Sequence, residues 1–212
     1  PKQLRRMPLV LDRISKVKLF RSKSKSAGTR KLADTPTHFH VETIPHNNFL
    51  VLPLTSSQRR RYVPIGFISP DYLASNLVIV VSDADLYDFG IITSNMFMSW
   101  MRAIGGRLKS DYRITKNNVY NNFPWPTPTD KQKERIEKTA QAILDARALY
   151  PDSSLADLYD PLTMPPELIK AHQDNDRAVM AAYGLPVKGT TESDAVAYLF
   201  KMYEKLIKKT DH

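Results

Sequence analysis

Three prolines within five residues divide this sequence into two parts of different character. The stretch YNNFPWPTPTD, residues 120–130, has a proline at every second position from 124 to 128. Proline lacks a backbone N–H and fixes its φ angle, so neither a helix nor a central strand continues through the stretch. We therefore predict one domain at residues 1–126 and a second at residues 127–212.

The second part carries helix signals throughout. A first helix is expected at residues 130–149, capped by Asp130, and a second at residues 165–184, which begin with a proline pair and end in glycine. Thr191, followed three residues later by Asp194, resembles a capping box that opens a third helix. We therefore predict a small α-helical C-terminal domain.

The first part mixes helix and strand signals. Residues 1–30 predict a basic helix that runs into a basic loop, and a helix with Thr93 or Ser94 as its N-cap is expected to stop at Gly105. Between residues 38 and 82, short runs rich in Val, Ile and Phe predict strands. These runs are HFHVETI, FLVLPL, RYVPIGFI and NLVIVVS. The expected fold class is α+β, with a mixed sheet in the first domain.

The positive charge is concentrated in the first part. The formal net charge is +9, and residues 1–126 contain 19 Lys and Arg against 8 Asp and Glu, whereas residues 127–212 contain 12 against 14. A basic half joined to a nearly neutral half indicates that one domain meets a polyanion.

The sequence also suggests a cellular setting. It has no cysteine, which excludes disulfides and zinc fingers and agrees with a reducing cytoplasm. It begins with Pro1 and shows neither a signal peptide nor an apolar run long enough to cross a bilayer. We expect a soluble, cytoplasmic piece of a longer protein, without a membrane partner.

Fragments that resemble catalytic or metal motifs lack the context those motifs need. DFG at residues 88–90 stands without the glycine-rich and HRD loops of kinases, and NNFPWP at 121–126 has the wrong residue order for the NPPY loop of amino-methyltransferases. No acid precedes a lysine by two positions, which excludes the PD-(D/E)xK nucleases. His38, His40 and His46 lie near one another in sequence but without a carboxylate cluster, so we expect neither a metal nor a catalytic residue here.

Two basic segments are candidates for phosphate contacts. Arg59, Arg60 and Arg61 follow Ser56 and Ser57 in a predicted loop, where guanidinium and hydroxyl groups suit phosphate oxygens, although a solvated loop has the same composition. The N-terminal segment is suited to a nucleic-acid backbone, or merely to keeping an exposed helix soluble. Its cations include Lys16, Lys18, Arg21, Lys23 and Lys25.

The stretch GGRLKSDYR mixes charges of both signs at alternate positions. If it is one strand, Arg107, Lys109, Asp111 and Arg113 project from the same face. Lys and Arg donate to guanine O6 and N7 in the major groove, whereas Asp accepts from cytosine N4, so Lys109 and Asp111 together suit one G·C pair. The alternative is a surface ion pair that contributes little free energy.

An ordered series of motifs resembles the C-terminal portion of the MmeI-like DNA methyltransferases, from about residue 30 to 185. It consists of SSQRRRYVPIGF, DLYDFGIITSNMFMSWMRAIGGRLKSDYRIT, NVYNNFPWP, LADLYDPLTMPPELIKAH and DRAVMAAYG. Members of this family carry an adenine-N6 methyltransferase domain that uses S-adenosylmethionine, then a target-recognition domain and a helical C-terminal domain. The present chain resembles the last two. The resemblance therefore implies double-stranded DNA and the methyltransferase domain of the same polypeptide as partners, with the cofactor in the parent protein and none in this fragment.

The resemblance also implies roles for individual residues. Lys109 and Asp111 match a pair that chooses between the two orientations of a G·C pair. Arg113 matches a further base-reading position, which works with a residue near Asn76 or Leu77. For the DNA backbone we expect contacts from Arg59, Arg60, Arg61, Arg107, Ser56 and Ser57.

We therefore interpret the chain as a sequence-specific duplex DNA recognition module whose helical domain packs on it. The alternatives are an RNA-binding module and a basic protein-interaction domain. An RNA-binding sheet requires exposed aromatic side chains, whereas Phe49, Tyr62 and Phe67 fall in segments patterned as core.

Overall fold

The computed structural model describes residues 4–40 and 44–210. Its contacts divide the chain into two compact units, Pro1–Ile44 and Pro45–His212. None of the helices in these described ranges is both long and apolar enough to span a bilayer.

The N-terminal unit contains two α-helices, and the side chain of one arginine binds the backbone that follows them. Helix α1 spans Pro8–Ser22, as predicted, but the expected basic loop contains a second helix, α2, at Ala27–Lys31. The guanidinium of Arg21 donates to the carbonyl oxygens of Leu32, Thr35 and His38. The chain therefore folds back around this side chain, and the strand predicted from residue 38 is wrong for 38–40, while 41–43 lie outside the described residues.

Two small antiparallel sheets form the β part of the second unit. The α+β class is confirmed, but the single mixed sheet that was expected is wrong. The strands form two separate sheets, and every strand pairing is antiparallel. The first sheet has the order β3-β1-β4, with β1 at Phe49–Pro53, β3 at Gly66–Ile68 and β4 at Val78–Val81. The second has the order β2-β6-β5, with β2 at Thr55–Ser56, β5 at Gly106–Leu108 and β6 at Asp111–Arg113.

Leu54 joins the two sheets. It lies between β1 and β2, and its N–H donates to the carbonyl oxygen of Leu77 at 2.9 Å. On the opposite side its carbonyl oxygen accepts the N–H of Ile114 at 2.8 Å. The chain after β6 and the chain before β4 therefore flank the same extended segment.

Most helices of the second unit were predicted from the sequence, but those at Leu86–Ile92 and Leu155–Leu158 were not. In chain order they are α3 at Leu86–Ile92, α4 at Asn95–Ile104, α5 at Asp130–Ala148, α6 at Leu155–Leu158, α7 at Pro166–Ala182 and α8 at Glu192–Thr210. Ser94 caps α4, and Thr191 and Asp194 form the predicted reciprocal bonds at the start of α8. The cap of α5 is Thr129 rather than Asp130, because Thr129 and Gln132 form a capping box one residue earlier.

A single cluster of buried hydrophobic side chains extends from Leu50 to Leu199 within the described residues. Trp100 and Phe97 of α4 are buried in the same cluster as Ile136 of α5, Leu168 of α7 and Leu199 of α8. The expected packing of the helical segment on the segment before it is thus confirmed. Since both segments share this core, the domain boundary after residue 126 stays a prediction.

Candidate nucleic-acid interface

The charged stretch at residues 106–113 is a β-hairpin. Gly106 pairs with Arg113, Arg107 with Tyr112 and Leu108 with Asp111, so Lys109 and Ser110 form a two-residue turn. Lys109 has a φ of 57°, the left-handed conformation that matches such turns to the twist of their strands. The prediction of one strand with four charges on one face is therefore wrong.

The hairpin separates these charges between its two faces. Paired residues share a face, so Leu108, Asp111 and Arg113 lie on one side and Arg107 on the other. Arg107 stacks its guanidinium on the Tyr112 ring, 3.9 Å from the centroid, and donates to the carbonyl oxygen of Ser110 at 3.0 Å. We call the side that carries Leu108, Asp111 and Arg113 the outer face.

The outer face continues across the neighbouring strands. Thr55 pairs with Arg113, and both are exposed. On the other side of Thr55, the register of β1 with β4, continued two residues past Val78, places the exposed Asn76 opposite it. Strands lie about 4.8 Å apart, so the backbones of Asn76 and Arg113 are about 10 Å apart across Thr55. The fold thus brings together two positions that the sequence separates by 37 residues.

Asp111 is held by the backbone of the arginine loop, which we define as residues 57–61. Its Oδ1 accepts the N–H of Gln58 at 3.3 Å. Among the ion pairs within the described residues, none joins Asp111 to Lys109. The structure therefore does not support the surface ion pair considered as the alternative, and the carboxylate keeps capacity for a further donor.

The arginine loop presents two of its three guanidinium groups to solvent. Arg59 and Arg61 are exposed, whereas Arg60 is half-buried and donates to the carbonyl oxygen of Ala156 at 3.5 Å. Ser57 accepts the N–H of Arg59. Ser56 is only 2% exposed and lies on the side of the sheet that carries Tyr112, opposite the outer face, so its hydroxyl does not reach a phosphate from this position.

Side chains of the helices fix the backbone that follows this loop. Tyr62 donates to Oδ2 of the buried Asp176 at 2.7 Å, and the N–H of Asn95 donates to Oδ1 of the same carboxylate at 2.7 Å. Arg147 donates to the carbonyl oxygen of Ile65 at 2.8 Å. Burial raises the pKa of Asp176 above its usual range. This network was not predicted from the sequence, although polar Asp176 lies on the apolar face of a predicted helix.

A second set of contacts holds the loop itself. Arg102 of α4 donates to the carbonyl oxygen of Arg61 at 2.9 Å and pairs with Glu192 of α8 at 3.1 Å. The guanidinium carbon of Arg61 lies 5.4 Å from the centroid of the Tyr62 ring. Contacts from α4, α7 and α8 therefore constrain the position from which Arg61 extends.

His172 lies inside this network as a neutral imidazole. Its ring stacks on Tyr62 with centroids 4.1 Å apart, and Nε2 lies 2.6 Å from the hydroxyl of Tyr159. That hydroxyl accepts N–H groups of Arg147, so its own proton points to Nε2 of His172. Burial, followed by the positive charges of Arg147 and Arg61, lowers the pKa of His172 well below its usual value.

We expect this imidazole to make the chain acid-sensitive. The folded state keeps His172 neutral while the unfolded state takes up a proton below pH 6.5, so the stabilisation is present above that pH and is lost as the pH falls. The free energy of unfolding should fall by about 1 kcal/mol per pH unit below about 6.5 relative to His172→Phe. Urea titrations between pH 5 and 8 measure this difference. The raised pKa of Asp176 changes the free energy of unfolding with pH in the opposite direction. Because Asp176 is present in both the wild type and His172→Phe, its contribution cancels in the comparison. Equal slopes would contradict the assignment.

The lysines of the basic N-terminal segment fall into two groups. Lys16 pairs with Asp12 at 2.7 Å and Lys18 with Asp34 at 3.3 Å, so these lysines have carboxylate partners within their own unit. Lys23 and Lys25 are exposed. Over residues 4–40 and 44–210, no three His, Asp or Glu side chains are grouped as a metal site requires.

Two family models together match nearly the whole chain. The model of the MmeI target recognition domain matches residues 1–127, and the model of the MmeI C-terminal domain matches residues 128–210.

Individual relatives agree with this assignment. DNA methyltransferase A of Bacillus subtilis (strain 168) is 39% identical over 202 residues, which are 95% of this chain and 23% of the relative. The structure of the type IIL restriction-modification enzyme MmeI in complex with DNA matches 98% of this chain and 28% of its own, with a TM-score of 0.93 and 46% identity. The chain thus spans about a quarter of the length of these relatives. It belongs to the MmeI family, of which it matches the target recognition domain and the C-terminal domain.

Proposed function

We propose that this chain is the sequence-reading part of a larger DNA methyltransferase, and that it places duplex DNA for modification by another domain of the same polypeptide. The observation that carries the proposal is the outer face of the hairpin, where Lys109 stands at the tip and Asp111 and Arg113 follow on one side. The similarity to MmeI, whose structure contains DNA, supports it.

The hairpin suits the major groove. That groove is about 12 Å wide and admits a two-stranded β-ribbon. With the outer face turned toward the bases, Lys109 donates to guanine O6 and N7 and Asp111 accepts from cytosine N4 of the same pair. The anchoring of Asp111 to the N–H of Gln58 orients the carboxylate before DNA binds.

Arg113 has a separate role in this proposal. It reads a second base pair together with a side chain from the segment that contains Asn76 and Leu77, both of which are exposed. The two strands flank Thr55, and their separation of about 10 Å lets long side chains converge on one base pair.

The phosphate contacts are assigned to the exposed end of the arginine loop. Arg59 and Arg61 present guanidinium groups to solvent, and Ser57 lies beside them. Arg60, Arg61 and Arg107 also make contacts within the chain, with Ala156, Tyr62 and Tyr112 respectively, so we rank Arg59 first as a phosphate ligand.

The chemistry is assigned to the rest of the parent protein. We propose adenine-N6 methylation with S-adenosylmethionine in a cytoplasmic enzyme. We infer that the cofactor binds elsewhere in the parent protein, because this sequence has neither the glycine-rich cofactor loop nor the NPPY loop of amino-methyltransferases. We therefore place no methyl-transfer step on this chain.

Substitution of a phosphate ligand tests the proposal. In the full-length parent protein, Arg59→Ala should weaken binding equally on cognate and unrelated duplexes, because phosphate contacts carry no sequence information. The slope of log K against log salt concentration should decrease in magnitude by about 1. Fluorescence-anisotropy titrations at several salt concentrations measure both quantities.

Lys138→Ala provides the matched control, because this exposed cation of α5 belongs to the helical segment. It should leave the slope unchanged. An unchanged slope for Arg59→Ala would contradict the phosphate assignment. Competition by single-stranded RNA as strong as that by duplex DNA would favour an RNA-binding module instead, although Phe49 and Tyr62 are buried and Phe67 packs against the core.

A further inference from the structure

Leu108 is an exposed apolar side chain on the outer face of the hairpin. It pairs with Asp111 at the end of the hairpin and is 54% exposed. The other side chains of the outer face at this end are Asp111 and Arg113, with Thr55 beyond them. Leu108 is absent from the hydrophobic core, and its exposure is unfavourable for the free chain.

The register fixes the direction in which Leu108 points. Directly paired residues have Cβ atoms about 5 Å apart on the same face, so Leu108 projects alongside the carboxylate of Asp111. Base pairs in duplex DNA follow one another at about 3.4 Å. When the outer face places Asp111 against one base pair, it therefore places Leu108 against an adjacent base pair.

Only one base edge in the major groove offers an apolar group. Adenine, guanine and cytosine present hydrogen-bond donors and acceptors there, whereas thymine adds its C5 methyl group. We infer that Leu108 is a specificity-determining residue that contacts the methyl group of a thymine in a base pair adjacent to the one contacted by Lys109 and Asp111. This inference rests on the proposed function and adds a further base pair to it.

The test replaces thymine by deoxyuridine, which lacks only the methyl group. The full-length parent protein is first used to determine the methylated motif, and each thymine within it and directly beside it is then exchanged singly. Deoxyuridine at one position should lower kcat/KM about fourfold for the wild type, the value expected for one buried methylene-sized group. Leu108→Ala should methylate the two duplexes at equal rates.

Leu162→Ala is the matched control, because Leu162 is 83% exposed and lies in the helical segment. This control should keep the fourfold preference for thymine. Equal rates on thymine and deoxyuridine for the wild type, an undiminished preference in Leu108→Ala, or a motif without thymine next to the G·C pair read by Lys109 and Asp111 would each overturn the inference. A wild-type protein that methylates a defined motif but ignores the methyl group leaves the proposed function standing. Absence of any methylated motif contradicts that function itself.

Discussion

Replacing Asp176 with alanine is expected to lower the free energy of unfolding of this chain by about 2 to 6 kcal/mol, because one buried and one half-buried donor then lack their acceptor at about 1 to 3 kcal/mol each. These donors are the hydroxyl of Tyr62 and the N–H of Asn95, both 2.7 Å from the carboxylate. Tyr62 is 1% exposed, so water does not replace the lost acceptor. Urea denaturation followed by tryptophan fluorescence measures the change.

Asp174→Ala is the matched control on the same helix. Its carboxylate pairs with Lys170 and Arg177 at the surface, so its loss should cost under about 1 kcal/mol. A cost for Asp176→Ala no larger than that of the control would contradict the account of the buried network. In the parent protein, we further expect Asp176→Ala to weaken binding to all duplexes, because Tyr62 follows the arginine loop directly.

The helices were predictable because their signals are local. Ser94 caps α4, Pro166 opens α7 and Thr191 with Asp194 opens α8, each within one turn of the helix that it defines. The proline run after Phe123 has no regular structure, as the missing N–H groups require.

The hairpin was not predictable in the same way. Its turn places Lys109 in the left-handed conformation, and lysine is not among the residues that signal such a turn. Alternation of charges at Arg107, Asp111 and Arg113 therefore favoured a single strand, although the pairing of two short strands places Arg107 on the opposite face. Strand β6 also pairs with β2, which lies far earlier in the sequence, and local composition does not reveal this pairing.

The other differences between the predicted and the observed structure also arise from contacts between residues far apart in sequence. His38 lies where Arg21 organises the backbone from a distance of 17 residues, which no local pattern reveals. The buried network of Asp176 and His172 had a partial signal, since both polar residues lie among apolar ones in α7. Its partner Tyr62, however, is 114 residues away from Asp176 in sequence. The roles proposed for Asn76 and Leu77 rest on the resemblance, and the register of β1 with β4 adds only that Asn76 lies opposite Thr55.

Exchange of the charges at the hairpin tip should change which base pair the enzyme selects. In the double variant Lys109→Glu, Asp111→Arg, the new glutamate accepts from cytosine N4 at the place where Lys109 contacts guanine in the wild type. The new arginine then donates to the guanine on the other strand. Reversal of a base contact is expected to change the free energy of discrimination by about 1–3 kcal/mol, which corresponds to about fivefold to 150-fold in relative rate. The control is the exchange of Lys170 and Asp174, an ion pair of α7, which makes the same reversal of charge at a site away from the hairpin. It should leave the selected base pair unchanged.

The most direct test of the central claim uses the full-length parent gene in a host that lacks DNA methylation. Methylated adenines are mapped across the genome by single-molecule sequencing for the wild type, the hairpin exchange and the α7 control. We expect the hairpin exchange to convert G to C at one position of the motif and to leave every other position intact. An unchanged motif from a well-expressed hairpin exchange would contradict the claim that Lys109 and Asp111 read a base pair.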